Sequence, residues 1–168
     1  MPITPRPAIF CFSKTGHSRR VADAFACRTG ADIVQIEVER YRFPLLWIAR
    51  AIWDVGRKAA PPLLTGNIVP AQRPWIVAAG PVWANEPAPP LRSVLAGLAT
   101  LEAPVGVLLT CGRSKEQSNS FATCETVLGR PLAACVSIPN DIEDTEDMDV
   151  LLSAFASAMT GRSSLGAA

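Results

Sequence analysis

The stretch IFCFSKTGHSRRVADAFA, residues 9–26, changes character twice. Residues 7–12 form a short apolar run rich in strand formers, which small polar residues stop at Ser13. Ser13, Lys14, Thr15, Gly16, His17 and Ser18 follow as a compact polar loop. From His17 or Ser18 to about Arg28, Val21, Ala24 and Phe25 recur at three- and four-residue spacing, and Gly30 stands where a helix C-cap glycine belongs. The stretch therefore predicts a buried strand, a tight polar loop and a helix.

The same unit recurs along the chain. Residues 31–39 alternate apolar and polar side chains, as a strand near a sheet edge does. The next segment, 44–59, is predicted as a helix opened by Pro44, with Leu45, Ile48, Ala49, Ile52 and Trp53 tracing its buried stripe. Residues 74–80 read as a continuous apolar strand and 81–90 as a proline-rich loop, after which Leu91, Val94, Leu95 and Leu98 mark a third helix. A strand over 104–112, a helix entered around Ser118, a strand over 132–139 and a helix from about Glu146 to Met159 complete the pattern. Five strands alternating with five helices predict an α/β fold, a three-layer doubly wound five-stranded parallel sheet with helices on both faces. The boundaries suit a single domain over 1–161 with a flexible tail over 162–168.

Composition narrows the function classes. Sixteen Lys and Arg against fifteen Asp and Glu leave a formal charge of +1, which gives no reason to expect nucleic-acid binding or an anionic membrane. No apolar run approaches the about 18 residues of a membrane span, so no membrane insertion is expected and a cytoplasmic location is. Five scattered cysteines without a CxxC read as reduced thiols. The single histidine leaves no familiar Cys/His metal cluster.

In a doubly wound sheet, ligands sit beyond the carboxyl ends of the strands where the strand order reverses. The loops that matter are then 13–18, 81–90 and 111–117. Three hydroxyl residues and a glycine directly before a helix suit a phosphate, because the helix N-terminus offers unpaired N–H groups and the positive end of its dipole. The loop lacks the glycines of the Walker and GxGxxG patterns, which disfavours nucleoside-triphosphate hydrolysis.

At this loop the chain resembles the flavodoxin-like FMN-binding proteins, whose first loop has the form [ST]-x-T-G-x-[ST], matched by Ser13, Thr15, Gly16 and Ser18. Gly80, Pro81 and Trp83 are similar to that family's loop after the third strand, and 108–117 resembles its third flavin loop. The resemblance implies FMN as cofactor and a strand order of 2-1-3-4-5. It implies that Ser13, Lys14, Thr15, Gly16, His17 and Ser18 anchor the phosphate. Pro81, Val82, Trp83, Ala84 and Asn85, with Cys111, Gly112 and Arg113, would frame the ring. Trp83 would flank it, while Lys14 and Arg113 would lend positive charge. Trp47, Trp53 and Trp75 are expected to be structural, and the acidic run 141–149 a solvated loop and helix start.

The function implied is electron transfer, as a carrier or as a small NAD(P)H- or quinone-linked flavin oxidoreductase, with a redox partner protein or a small-molecule acceptor. No residue need act as acid or base, because the flavin carries the redox chemistry. Two departures from the electron-carrier pattern are the near-neutral charge and the absence of an aromatic residue over 111–120. The alternative is a non-catalytic binding or regulatory module of the same fold, with another ligand in the phosphate loop. A receiver-type signalling domain would need an acceptor Asp after the third strand, where Gly80, Pro81 and Val82 stand. Oligomeric state is not legible from the residues.

Overall fold

The computed structural model describes residues 5–42, 46–64, 73–112 and 117–163. The strands are β1 (Ala8–Cys11), β2 (Asp32–Gln35), β3 (Ile76–Trp83), β4 (Glu86–Pro87), β5 (Val105–Cys111) and β6 (Ala134–Pro139). The helices are α1 (His17–Thr29), α2 (Trp47–Gly56), α3 (Pro89–Leu98), α4 (Ser118–Leu128) and α5 (Glu146–Ser163).

Five strands pair in parallel in the order β2-β1-β3-β5-β6, with β4 pairing antiparallel to β3. Ala8 of β1 faces Asp32 on one side and Ile76 on the other, so the order reverses about β1. This is the predicted doubly wound, flavodoxin-like sheet.

Period-two alternation sorts the side chains into two cores. Phe10, Ile76, Ala78, Val107 and Leu109 pack under α3 and α4, while Ile9, Cys11, Val77, Ala79, Leu108 and Ile138 pack under α1 and α5. Each fully buried Leu, Ile or Val contributes about 1.5–3 kcal/mol. α1 stops where expected: Gly30 takes φ +67 and its N–H bonds the Ala26 carbonyl at 2.8 Å.

The expectations need three corrections of detail. Among the described residues the five parallel strands stand as expected and a short sixth is added, because β3 continues through Pro81, Val82 and Trp83 instead of ending in a loop at residue 81. Ala84 and Asn85 then adopt φ +50 and +62, the two left-handed positions of a tight hairpin turn, and return the chain as β4. The prolines suggest a loop, but Pro81 stands at the last pair of the β3–β5 ladder and Pro87 in a β3–β4 ladder only two pairs long, where few N–H groups are required.

The second correction concerns α2. Ala51 and Asp54 are its buried residues, whereas Ile48, Ile52 and Trp53 are 55%, 70% and 59% exposed. A polar network decides this orientation: Asp54 accepts the Tyr41 hydroxyl at 2.8 Å and pairs with Arg40 at 3.1 Å. The apolar stripe read from the sequence thus faces outward. Pro44 and Leu45 lie outside the described residues. The third correction is at the last helix, which runs to Ser163 and not Met159.

Small residues let helices approach the sheet. A Cβ on Gly80 would lie 2.2 Å from Leu91 Cδ1 of α3. Gly80→Ala is therefore expected to lower stability by about 1–3 kcal/mol through overpacking. In denaturant titrations, Leu91→Ala should cost less in the Gly80→Ala background than in the native one, since the truncation removes the clash.

Candidate functional site

β1, β3 and β5 end at the same edge of the sheet, and the segments that leave them enclose a pocket of about 150 Å³. Its walls include Lys14, Thr15, His17 and Ser18 from the first loop, Pro81, Val82 and Trp83 from β3, and Thr110, Cys111 and Gly112 from the end of β5. Nine residues of the sequence reading thus line one pocket. Ser13, Gly16, Ala84 and Asn85 stand off it, and Arg113 lies outside the described residues.

Residues off the wall shape it. Gly16 takes φ +94, a conformation that side chains with a Cβ rarely adopt, and its N–H donates to Ser13 Oγ at 3.2 Å. That bond folds the loop tightly, so α1 starts at His17 with its first N–H groups turned to the loop. The Ser18 hydroxyl, almost fully buried, meets Thr110 Oγ1 at 2.6 Å and ties the helix start to the end of β5. Asn85 acts through its carbonyl, which accepts the Ser120 hydroxyl at 3.0 Å and anchors the hairpin to α4.

The opposite wall is aromatic. Trp83 lies 5.7 Å from Phe12, 5.8 Å from Tyr41 and 5.9 Å from Trp47, measured between ring centroids. Its plane is therefore held by three neighbours. Lys14 sits against this wall: its Nζ donates to the Tyr41 carbonyl at 2.7 Å and lies 5.6 Å from the centre of the Trp47 ring.

A volume of about 150 Å³ suits a phosphate or part of a larger molecule, and two clefts extend it. One of about 390 Å³ runs over Phe12, Ser13 and Tyr41 and shares Lys14. Another of about 350 Å³ lies between α2 and the hairpin and shares Trp47, Val82 and Trp83, its lining apolar throughout. Together they reach the size of a cofactor site.

Three lining residues escaped the sequence reading. Trp47 had been expected to be structural and forms a wall of both pocket and cleft. Thr110 is an ordinary strand residue by pattern, and only the pairing of β5 with β3 brings it to Ser18. Asn140, just after β6, carries a buried Oδ1 without a hydrogen-bond partner, an acceptor that a ligand hydroxyl or N–H would satisfy. Of the other tryptophans, Trp75 is buried against Phe25, as a structural role requires, but Trp53 is exposed beneath the Arg57 guanidinium.

A further correction falls on the acidic run 141–149. Glu143 is not solvated: its side chain is 7% exposed, 2.8 Å from His17 Nδ1 and 2.6 Å from the Arg20 guanidinium. The cysteines form no disulfide, and burial pushes the thiols of Cys11 and Cys124 up to about 12. Those two remain protonated at neutral pH and offer no thiolate to redox chemistry. Cys111 lines the pocket with its Sγ 3.4 Å from Ser137 Oγ. Among the described residues no helix is long and apolar enough to cross a membrane.

No protein-family model matches the chain, and no curated protein matches it in sequence. Solved structures do resemble it. A flavoprotein of Lactobacillus acidophilus, crystallised in complex with FMN, superposes with a TM-score of 0.66 at 17% identity, over 88% of this chain and 99% of that one. A protein of Bacteroides uniformis gives 0.69 at 19% identity, over 89% and 98%. The two-electron reduced flavodoxin of Megasphaera elsdenii gives 0.51 at 16% identity, over 90% and 99%. At such identities the likeness is one of architecture. With its 2-1-3-5-6 parallel sheet and the loops gathered at its carboxyl edge, the chain has the flavodoxin-like fold.

Proposed function

We propose that this protein binds FMN at the carboxyl edge of its sheet and transfers electrons through it. The observation that carries the reading is the meeting, in one pocket, of the Thr15–His17–Ser18 helix start with the Trp47–Trp83 wall. The first suits a phosphate and the second a flat apolar ring. The Lactobacillus protein that shares the fold is a flavoprotein holding FMN, and this supports the assignment.

The residues fit the group. Gly16 at φ +94 leaves room for an anion beside the backbone, and a Cβ there would also crowd the Arg20 guanidinium at 3.2 Å. Asn140 Oδ1 awaits a donor. FMN, when bound, supplies one- and two-electron redox chemistry. The chain's own residues would hold it, Thr15, His17 and Ser18 at the phosphate and Trp83 and Trp47 beside the ring, with Val82 and Pro81 between them on the pocket lining. None of them is required to form a covalent bond.

Whether the protein is a carrier or an enzyme turns on how it is reduced. A redox partner protein serves the first role, and NAD(P)H with a small acceptor such as a quinone serves the second. The apolar cleft beside Trp83 leaves access to the ring site from solvent, which both roles need.

FMN titrated into the protein should lose fluorescence and give a protein-bound absorption spectrum, since the ring would lie against two tryptophans. Absence of any response would favour the non-catalytic binding module. With flavin bound, anaerobic NADH or NADPH bleaches an enzyme and leaves a partner-dependent carrier oxidised.

The combined variant Thr15→Ala with Gly16→Val removes a hydroxyl donor and the left-handed turn. It should weaken FMN about a hundredfold, as loss of one or two charge-assisted hydrogen bonds does. Riboflavin, which lacks the phosphate, should bind it as it binds the native protein. Equal loss for both flavins would place the phosphate elsewhere.

Trp83→Leu should do the converse, weakening riboflavin and FMN alike by about tenfold and restoring part of the quenched fluorescence. Unchanged quenching in this variant would remove Trp83 from the ring wall.

A further inference from the structure

His17 is the chain's only histidine, and its surroundings choose which ring nitrogen carries hydrogen. Nδ1 lies 2.8 Å from Glu143 Oε1. The other oxygen of that carboxylate is bonded by the Arg20 guanidinium at 2.6 Å. A carboxylate paired with a guanidinium accepts hydrogen bonds, so Nδ1 must be the donor. Arg20 also approaches Nδ1 to 2.9 Å, but a guanidinium only donates and cannot bond an N–H group. Its bond is to Glu143.

The consequence falls on Nε2. In the neutral ring with hydrogen on Nδ1, Nε2 is an acceptor. His17 is part of the wall beside Thr15 and Ser18, where the phosphate is assigned. Phosphate oxygens are acceptors as well, so an Nε2 that meets the phosphate from a neutral His17 would oppose lone pair to lone pair. A proton taken from solvent onto Nε2 removes the conflict: Nδ1–H continues to bond Glu143, and Nε2–H bonds the phosphate.

The charged groups around the ring are consistent with this exchange. Glu143 comes from the connection between β6 and α5, Arg20 from α1 itself, and Lys14 lies on the same pocket wall. The strand end supplies Thr110 and Cys111. Asp141 and Asp144, on the connection that carries Glu143, are exposed to solvent. Glu143 and the incoming phosphate favour the second proton, while Arg20 and Lys14 oppose it. Glu143 and Arg20 offset each other, so the charge of the phosphate is set against that of Lys14 and its hydrogen bond to Nε2 decides for the proton.

We propose that Glu143 is a positioning residue that fixes the tautomer of His17, so that binding of a phosphate group in this loop takes up one proton at His17 Nε2. The proposal rests on the FMN reading for the identity of the phosphate. It makes cofactor affinity depend on pH with a definite sign. Between the titration of the free ring and that of the ring in the complex, affinity falls about tenfold for each unit rise in pH.

One histidine makes the test direct. Ring nitrogen spectra of untagged, ¹⁵N-labelled protein at about pH 7.5, above the second ionisation of a phosphate ester, should show the Nδ1–H tautomer in the free protein. With FMN the ring should become doubly protonated, and calorimetry in two buffers of different ionisation enthalpy should register uptake approaching one proton. Riboflavin should produce neither signal. His17→Asn keeps a hydrogen-bond donor but cannot titrate, and leaves the Arg20–Glu143 pair in place; its FMN affinity should be flat over the same pH range. Glu143→Gln should release the ring to both tautomers and reduce proton uptake.

FMN binding with the ring still neutral, or with the same pH dependence in His17→Asn, would overturn the proposal and leave the cofactor reading standing. Failure of FMN to bind would overturn the cofactor reading. The same spectra would then be recorded with inorganic phosphate, where a doubly protonated ring upholds the proton link and an unchanged ring overturns it.

Discussion

A parallel sheet covered on both faces leaves its carboxyl edge as the place where irregular backbone can meet solvent, and this constraint organises the molecule. β1, β3 and β5 run in register side by side, Ala8 beside Ile76 and Ile76 beside Val105. Their ends therefore emerge together. The hydroxyl contact between Ser18 and Thr110 closes the seam between residues 92 positions apart in the chain. A helix start rich in unpaired N–H groups is thus held against the strand ends that border the pocket.

Rigidity on the opposite wall comes from aromatic packing and a buried polar network acting together. Trp83 is held by Phe12, Tyr41 and Trp47, and Tyr41 is held in turn by Asp54. Burial first, then the hydrogen bond and charge of Asp54, raise the Tyr41 hydroxyl well above the ordinary phenol range, so it stays a neutral donor. Asp54 in turn draws one face of α2 inward and sends Ile48, Ile52 and Trp53 outward. A satisfied buried carboxylate outweighs the exposure of three apolar side chains, because a lone buried charge costs more than an exposed hydrophobe. The same helix face that lost its burial borders the apolar cleft at the ring wall.

The end of the pocket at the first loop is electrostatically different. Lys14 is tied to the aromatic wall by the Tyr41 carbonyl, and Arg20 is tied to Glu143. Hydrogen-bond donors from the helix start and a histidine bonded to Glu143 therefore stand nearest the loop, with Lys14 and Arg20 already committed to partners. The anion proposed for this end would be met by directed donors as well as by charge.

Local periodicity was enough for the element types and for the first loop. Continuous apolar runs over 7–12, 74–80 and 104–112 point to strands buried on both faces, and Gly16 between hydroxyl residues before a helical pattern marks a tight turn at a helix start. These are properties of a few adjacent residues and survive without a partner. The orientation of α2, the hairpin at Ala84 and Asn85, and the membership of Trp47, Thr110, Asn140 and Glu143 in the site are of another kind. Each depends on a contact with a residue remote in the chain: Asp54 with Arg40 and Tyr41, Asn85 with Ser120, Glu143 with His17. Hydropathy patterns treat a carboxylate as solvent-seeking and a proline as a breaker, and only a folded neighbour that supplies the hydrogen bond reverses that preference. The sequence alone therefore determined the five parallel strands and the polar turn that opens the first helix, whereas the tertiary structure decided the hairpin and which side chains surround the pocket, because burial of polar groups is settled by partners and not by position along the chain.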